Sequence, residues 1–317
     1  MCGAVDLVPP ANGDAVRCTE PAGAWDARLA GGRTRRRGES DVPKSERRSP
    51  VDLEVRESVA WITLDDPDHS NSFSADSVGA LAQAVNAARA ADVGVVVLSA
   101  RGPVFSVGGD LGAFEGAPDT GAYVDELAEA LHRVVSELTR LDAIVIAVVR
   151  GMAAGAAVPL AAAADIVLAA ESARFTLAYT KVGLTPDGGS SLLAASIGLH
   201  RALYLALLNP VLTAAEAQAM GLVMEIHPDD DLAEAVEGVV RRLSRGSRTA
   251  LVAAKHLLRE QAIPAPETAM RRETLAMRAA AAGPDGREGV ASFLAKRSPA
   301  FPSADRRDAP SDPPDGP

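Results

Sequence analysis

Three apolar runs restrict the fold of this 317-residue chain more than any other feature. Val93–Ser99, Ala143–Val149 and Ile166–Ala169 are short, nearly continuous and rich in β-branched residues, and Ala-rich amphipathic stretches separate them. A strand with one solvated face alternates apolar and polar residues, whereas a strand covered on both faces does not. Runs of this kind, spaced by helical stretches, predict an α/β domain built on a parallel sheet with helices over both faces. Ahead of them, Val51–Leu64 alternates around Glu57-Ser58 and predicts a hairpin. Helices are predicted from Ser74 to about Ala90, near Tyr123–Thr139, and from about Ala154. After Gly188 the pattern is almost wholly helical. It runs from Thr213–Ala219, with a Thr cap and Gly221 as stop, through 231–244, 248–261, 267–281 and 285–297.

The ends of the chain read differently. Residues 1–49 are rich in Gly, Pro, Ala and Arg without any hydrophobic period, so they predict a disordered arm, with Arg33-Thr34-Arg35-Arg36-Arg37 a solvated stretch within it. The Pro-rich residues 301–317 predict a disordered tail. The domain between them spans 50–300, with a core over 50–210 and a helical region over 211–300.

A net charge of -10 argues against a nucleic-acid partner, which needs a basic field. The only cysteines, Cys2 and Cys18, provide neither a disulfide framework nor a thiolate metal site. The least polar stretch, Ile144–Ala170, is interrupted by Arg150, Gly151, Pro159 and Asp165, so no membrane span is predicted. Met1–Pro10 lacks the basic start and apolar run of a secretory signal. A soluble cytoplasmic protein is the expectation.

Two segments carry chemistry. Phe105-Ser106-Val107-Gly108-Gly109-Asp110-Leu111 follows a buried strand, and its glycine pair leaves backbone N–H groups open to a ligand because no Cβ stands in the way. Arg150-Gly151-Met152-Ala153-Ala154-Gly155-Ala156-Ala157 follows another, and its small residues let a helix start hard against the sheet with its free N–H groups facing a pocket. Two such turns at neighbouring strand ends can supply two convergent donors, the requirement for holding a thioester oxygen as it becomes an enolate. Other motifs fail. There is no P-loop, the glycines lack dinucleotide spacing, and Gly188-Gly189-Ser190-Ser191 lacks the nucleophile-elbow frame. His69, His132, His200, His227 and His256 are scattered without metal-ligand spacing, and His132 and His256 fall in helical patterns as surface or packing residues.

These segments resemble the paired oxyanion-hole motifs of the crotonase superfamily, the enoyl-CoA hydratases and isomerases. The similarity extends through Asp65–Ser74, Ala164-Asp165-Ile166, Phe175, Gly183–Gly189, Ala219–Val223 and Arg287–Arg297, and covers about residues 51–300 in order. It implies a crotonase-like spiral of strand–strand–helix repeats with a C-terminal helical trimerisation region. It also implies an acyl-CoA thioester substrate, a homotrimer or homohexamer, and no metal or other cofactor. It places the oxyanion donors on the N–H groups of Gly109 and Ala156. Val107, Asp110, Leu111, Gly155 and Tyr179 would line the thioester site. His69, Asn71, Ser72, Phe293 and Lys296 would contact coenzyme A, the last two closing a neighbouring subunit's site.

The chain departs from the family's hydratases at one point. They use two glutamates to split water, and the matching positions here are Pro159 and Tyr179. Asp187, in Thr185-Pro186-Asp187-Gly188-Gly189, instead resembles the proton-moving aspartate of phenylacetate-pathway and dienoyl-CoA isomerases. The 4-chlorobenzoyl-CoA dehalogenases place a nucleophilic aspartate there. Pro-Asp-Gly before a helix is also a ready-made turn with Asp as N-cap. The resemblance therefore implies an enoyl-CoA isomerase with Asp187 as acid and base. A hydratase using another acid, dehalogenase-like covalent catalysis and a non-catalytic acyl-CoA-binding relative are the alternatives.

Overall fold

The computed structural model describes residues 49–304; the predicted arm and tail lie outside these apart from Ser49 and residues 301–304. The first half of the chain forms β1 (Val51–Arg56), β2 (Val59–Leu64), α1 (Ala75–Ala90), β3 (Val95–Ala100), α2 (Leu111–Gly116), α3 (Thr120–Arg140), β4 (Ile144–Val149), β5 (Met152–Ala154) and α4 (Ala157–Ala162). The second half forms β6 (Ile166–Ala170), β7 (Arg174–Thr176), α5 (Leu193–Ile197), α6 (Leu199–Leu208), β8 (Leu212–Thr213), α7 (Ala214–Met220) and β9 (Glu225–His227). Four helices close the chain: α8 (Leu232–Ser244), α9 (Arg248–Ala262), α10 (Pro266–Ala282) and α11 (Pro284–Leu294).

The larger sheet has six strands in the order β1-β2-β3-β4-β6-β9. Its first pair is the antiparallel hairpin, turned by Glu57 and Ser58 at φ 51° and 62°, and the remaining pairs are parallel. β5, β7 and β8 make a second sheet, which parallel bridges extend through Phe73–Gly109 and Ser106–Ala153. The chain therefore spirals. β2, β3, β4 and β6 each pass the chain to a short strand or bridge of the second layer and then toward a helix, as in β4, β5, α4.

The apolar runs behave as the missing alternation requires. Val96 and Leu98 face one core together with Leu81, Leu138 and Val145, while Val95 and Val97 face the other beneath Leu232, Val236 and Val240 of α8. Both faces of β3 are dry, and each fully buried branched side chain contributes roughly 1.5–3 kcal/mol.

The structure corrects several boundaries. The region after Gly188 is not wholly helical, because β8 and β9 each add an edge strand of two or three residues, too short to show a period of two. The helix expected from Ala154 begins at Ala157, since Ala154 belongs to β5 and Gly155 turns the chain at φ 55°. α2 has no counterpart among the predicted helices. Asp110 caps it by accepting from the N–H groups of Gly112 and Ala113 at 3.0 and 3.2 Å. Of the predicted tail, 301–304 form a turn in which Ser303 donates its N–H to Asp285 at 3.0 Å. Among the described residues, no helix is long and apolar enough to cross a membrane.

Candidate active site

The two glycine turns come together through the second layer. Phe73 donates its N–H to Gly108 O at 2.7 Å, and Ala154 donates to Ser106 O at 2.9 Å, which locks the 105–110 turn beside the 151–156 turn. Gly108 stands at φ 83°, and a Cβ there would meet Ala154 O at 2.8 Å and Ala156 N at 3.2 Å, so only glycine permits this approach. Gly151 is equally constrained, with a would-be Cβ 2.0 Å from Pro103 O. Among the described residues, the N–H groups of Gly109 and Ala156 donate to no partner. α4 has only six residues, so no strong helix dipole adds to these two peptide groups.

Asp187 reaches the same place from a third loop. A Cβ on Gly188 would lie 2.9 Å from the Ala156 side chain, so the Asp187–Gly188 peptide packs directly on the second donor. The main-chain carbonyl of Asp187 accepts from the Tyr179 hydroxyl at 2.9 Å and the Ser190 hydroxyl at 2.7 Å. These bonds fix the peptide and leave the carboxylate its own environment. Asp187 is buried and does not cap a helix; the short turn that follows is entered from Gly189. The N-cap reading is thereby corrected: two glycines at φ 72° and 93° carry the chain past the position a cap would need. The Tyr179 phenol is held well above its usual range by burial first, and then by the Asp187 and Glu273 charges. Its proton is committed to a main-chain carbonyl.

The partner of the Asp187 carboxylate is His132 from α3, with Nε2 2.8 Å from Oδ1. Glu273 from α10 brings Oε2 to 3.4 Å from the same nitrogen. Its oxygens also accept from the N–H groups of Gly189 and Ser191, at 2.8 Å each, and from the Ser191 hydroxyl. All three side chains are buried. Burial depresses the His132 imidazole, yet the contacts to Asp187 and Glu273 outweigh it and raise the group to about 9. The three ligand atoms lie within 4.8 Å of one another, a span that would suit a metal ion. A proton on Nε2 accounts for the same contacts.

His132 is thus packed and not at the surface, and the structure gives it two acidic partners that its helical pattern did not reveal. Spacing in sequence does not reveal a site whose members come from a loop and two helices. A signal was present nonetheless. His132 lies on the buried stripe of α3 with Leu131, Val135 and Leu138, and Glu273 lies on that of α10 with Met270, Met277 and Ala281. An ionisable group on an apolar stripe requires a partner.

The remaining predicted residues are more dispersed. Val107, Leu111 and Gly155 are partly buried beside the donors, and Val107 donates its N–H to Ser70 O at 3.2 Å. Ser72 is half-buried on the same segment. Asn71 turns inward at φ 52°: its Oδ1 accepts from Asp66 N at 2.8 Å, and its amide donates to Arg101 O and Val104 O. Its side chain is thus engaged in holding the strand exit. His69 is exposed and paired with Asp66 Oδ1 at 2.7 Å. Phe293, half-buried, and Lys296, exposed, stand at the C-terminal end of α11. The earlier part of that helix packs on the Tyr179–Val182 turn so closely that a Cβ on Gly289 would meet Val182 O at 2.2 Å.

Comparison with known proteins agrees with this geometry. The family model for enoyl-CoA hydratase/isomerase matches residues 54–304. The chain is 35% identical over 254 residues to the 1,2-epoxyphenylacetyl-CoA isomerase of Escherichia coli K12, covering 78% of this chain and 96% of the relative. It is 36% identical over 260 residues to a probable enoyl-CoA hydratase of Rhodobacter capsulatus, covering 79% and 97%. A crystal structure of an enoyl-CoA hydratase from Mycobacterium avium subsp. paratuberculosis K-10 superposes with a TM-score of 0.73 at 35% identity, over 80% of this chain and 98% of that one.

Proposed function

The chain belongs to the enoyl-CoA hydratase/isomerase family, and from that premise we propose that it is an enoyl-CoA isomerase in which Asp187 moves the proton. The observation that carries this reading is the buried Asp187 carboxylate on a peptide packed against Ala156, beside two N–H groups without partners. The thioester oxygen sits between the N–H groups of Gly109 and Ala156. Asp187 takes a proton from the carbon that the thioester and the double bond acidify, and the electron pair delocalises onto the oxygen as an enolate. The donors stabilise the charge developed there. The carboxylic acid then returns the proton at the far end of the conjugated system, and the double bond has shifted. Nothing is oxidised or reduced, so the step needs neither a redox cofactor nor a metal.

A hydratase is the second reading, favoured by the name of the Rhodobacter relative and by the presence of a second buried carboxylate, Glu273. Pro159 and Tyr179 stand where the resembling hydratases carry their glutamates. The Glu273 oxygens already accept three donors, which leaves them poorly placed to hold a water. His69, Phe293 and Lys296 are assigned to coenzyme A, and the subunits are assigned to a trimer or hexamer.

The test is Asp187→Asn, assayed with straight-chain and aromatic 3-enoyl-CoA thioesters. Asn preserves the size, and the bonds from Tyr179 and Ser190 survive because they reach the main chain. Turnover is expected to fall by about two to four orders of magnitude, the usual worth of a general base. Exchange of the acidic substrate proton with deuterated water is expected to stop. A folded variant that exchanges and isomerises normally would overturn the assignment, and hydration of the 2-enoyl thioester by the wild type at a comparable rate would favour the second reading.

A further inference from the structure

His132 has no part in the reaction as written, yet it sits between two buried carboxylates. Its surroundings specify its protonation. Nδ1 lies 3.2 Å from Thr274 Oγ1, and that hydroxyl donates its own proton to Met270 O at 3.3 Å, so the Thr oxygen is left as an acceptor. Nε2 lies 2.8 Å from Asp187 Oδ1 and 3.4 Å from Glu273 Oε2, two atoms that accept and do not donate when ionised. Both ring nitrogens therefore face acceptors, the pattern of an imidazolium.

One contact points the other way, since Gly188 N–H approaches Nε2 at 3.2 Å and would need its lone pair. A carboxylate charge at 2.8 Å outweighs a neutral amide at the longer distance. We infer that His132, held as an imidazolium between Asp187 and Glu273, is a positioning residue that supplies the counter-charge to the Asp187 carboxylate as the base, an inference that rests on the proton-moving role proposed for Asp187.

The alignment of the contact supports that role. Nε2 lies within reach of both carboxylates, and Oδ1 receives no aligned hydrogen bond although it is buried. The cation thus acts on Oδ1 through its charge and leaves the lone pairs of that atom open to a substrate proton. The charged and titratable groups facing the ring from each packed element are consistent. α3 contributes Glu129, which is itself paired with Arg271. The 183–189 loop contributes Asp187, α10 contributes Glu273, and the Tyr179 phenol adjoins both carboxylates. No basic group competes with His132 for the two carboxylates among these contacts. Without it, two buried carboxylates would adjoin each other, and one would take up a proton.

Two measurements test this. In the intact protein, nitrogen-15 NMR of His132 is expected to show both ring nitrogens protonated at pH 7.5, and Glu273→Gln is expected to lower the pH at which the ring deprotonates. In His132→Gln, assayed with a straight-chain 3-enoyl-CoA, the acid limb of the kcat profile is expected to move up by about one pH unit or more. At pH 7 kcat falls while KM changes little, and the rate recovers as pH rises toward 9. A packing role would lower the whole profile without moving it. A neutral ring at pH 7.5, which the wild-type spectrum reads even if the variant fails to fold, would overturn the inference. So would an unshifted profile in a folded variant. Normal turnover in Asp187→Asn would instead refute the proposed function, while a dead Asp187→Asn with an unshifted His132→Gln profile would refute this inference alone.

Discussion

Gly109 separates the two roles a glycine can have in a site of this kind. A Cβ at this position would meet only the far edge of the Phe114 ring, at 3.0 Å, and that ring can shift by a few tenths of an ångström. Gly109→Ala therefore keeps the N–H and is expected to retain most activity. Gly109→Pro deletes the N–H, and loss of one oxyanion donor costs about 3–4 kcal/mol of transition-state stabilisation, or about 100- to 1,000-fold in kcat. Circular dichroism and kcat measured on both variants check the contrast, and equal activities would remove Gly109 from the site. His132 gives a second residue-level prediction. Its value of about 9 lies above the ordinary 6.5, so it stabilises the fold fully below about pH 6.5, and that contribution is lost as pH rises through about 9. The whole effect is on the order of 3 kcal/mol. Thermal unfolding between pH 6 and 10 should show Tm falling over this window in the wild type and much less in His132→Gln. Of this candidate site, the two unpartnered N–H groups and Asp187 were legible because each lies in a short contiguous segment with its own turn chemistry. His132 and Glu273 were not, because their meaning is a contact: His132 and its partner Thr274 are 142 residues apart.

One carboxylate gathers several of the bonds that tie α9 to the large sheet. Asp165, at the entrance to β6, accepts from Val145 N at 2.8 Å, Lys255 Nζ at 3.0 Å and Arg259 Nε at 2.8 Å. Lys255 is buried and also donates to Leu138 O and Ala143 O, and burial holds its ammonium below the usual lysine range despite the Asp165 charge. Removing the anion strands a buried cation. Asp165→Ala is therefore expected to cost about 3–5 kcal/mol in urea denaturation, whereas Lys255→Met should cost less, because Arg259 still neutralises Asp165. Equal losses in the two variants would show that the charges are not the source of the stability. At this scale the sequence was informative wherever an element was long enough to repeat. The hairpin, the three buried strands and the helices from Thr213 onward all appear within a few residues of their predicted places. β8 and β9 escaped because a strand of two or three residues is defined by its neighbour across the sheet and not by its own pattern.

The molecule as a whole presents an apolar surface that its own core does not use. Leu199, Leu203 and Leu207 recur every four residues along α6, with Tyr204 and Leu208 beside them, and all five are 44–68% exposed. α9 adds Leu257 and Leu258, both more than 60% exposed. Single exposed leucines are ordinary, but a run of them along one helix is the pattern expected of an interaction surface. Because the resemblance implies a trimer or hexamer, the occupant expected here is a second copy of the chain. Sedimentation at micromolar concentration should give three or six times the 32.7 kDa chain mass. Leu203→Glu with Leu207→Glu should reduce the mass toward one chain. The substituted side chains are exposed in the single chain, so its secondary structure should persist. If the end of α11 completes a neighbour's coenzyme A site, the dissociated variant should also bind the thioester more weakly. Lys296→Ala should reproduce that rise in KM while leaving both the assembly and kcat nearly unchanged. A wild type that sediments as one chain would remove the shared site together with the interface. An assembled Lys296→Ala variant with unaltered KM would keep the interface and release Lys296 from the ligand.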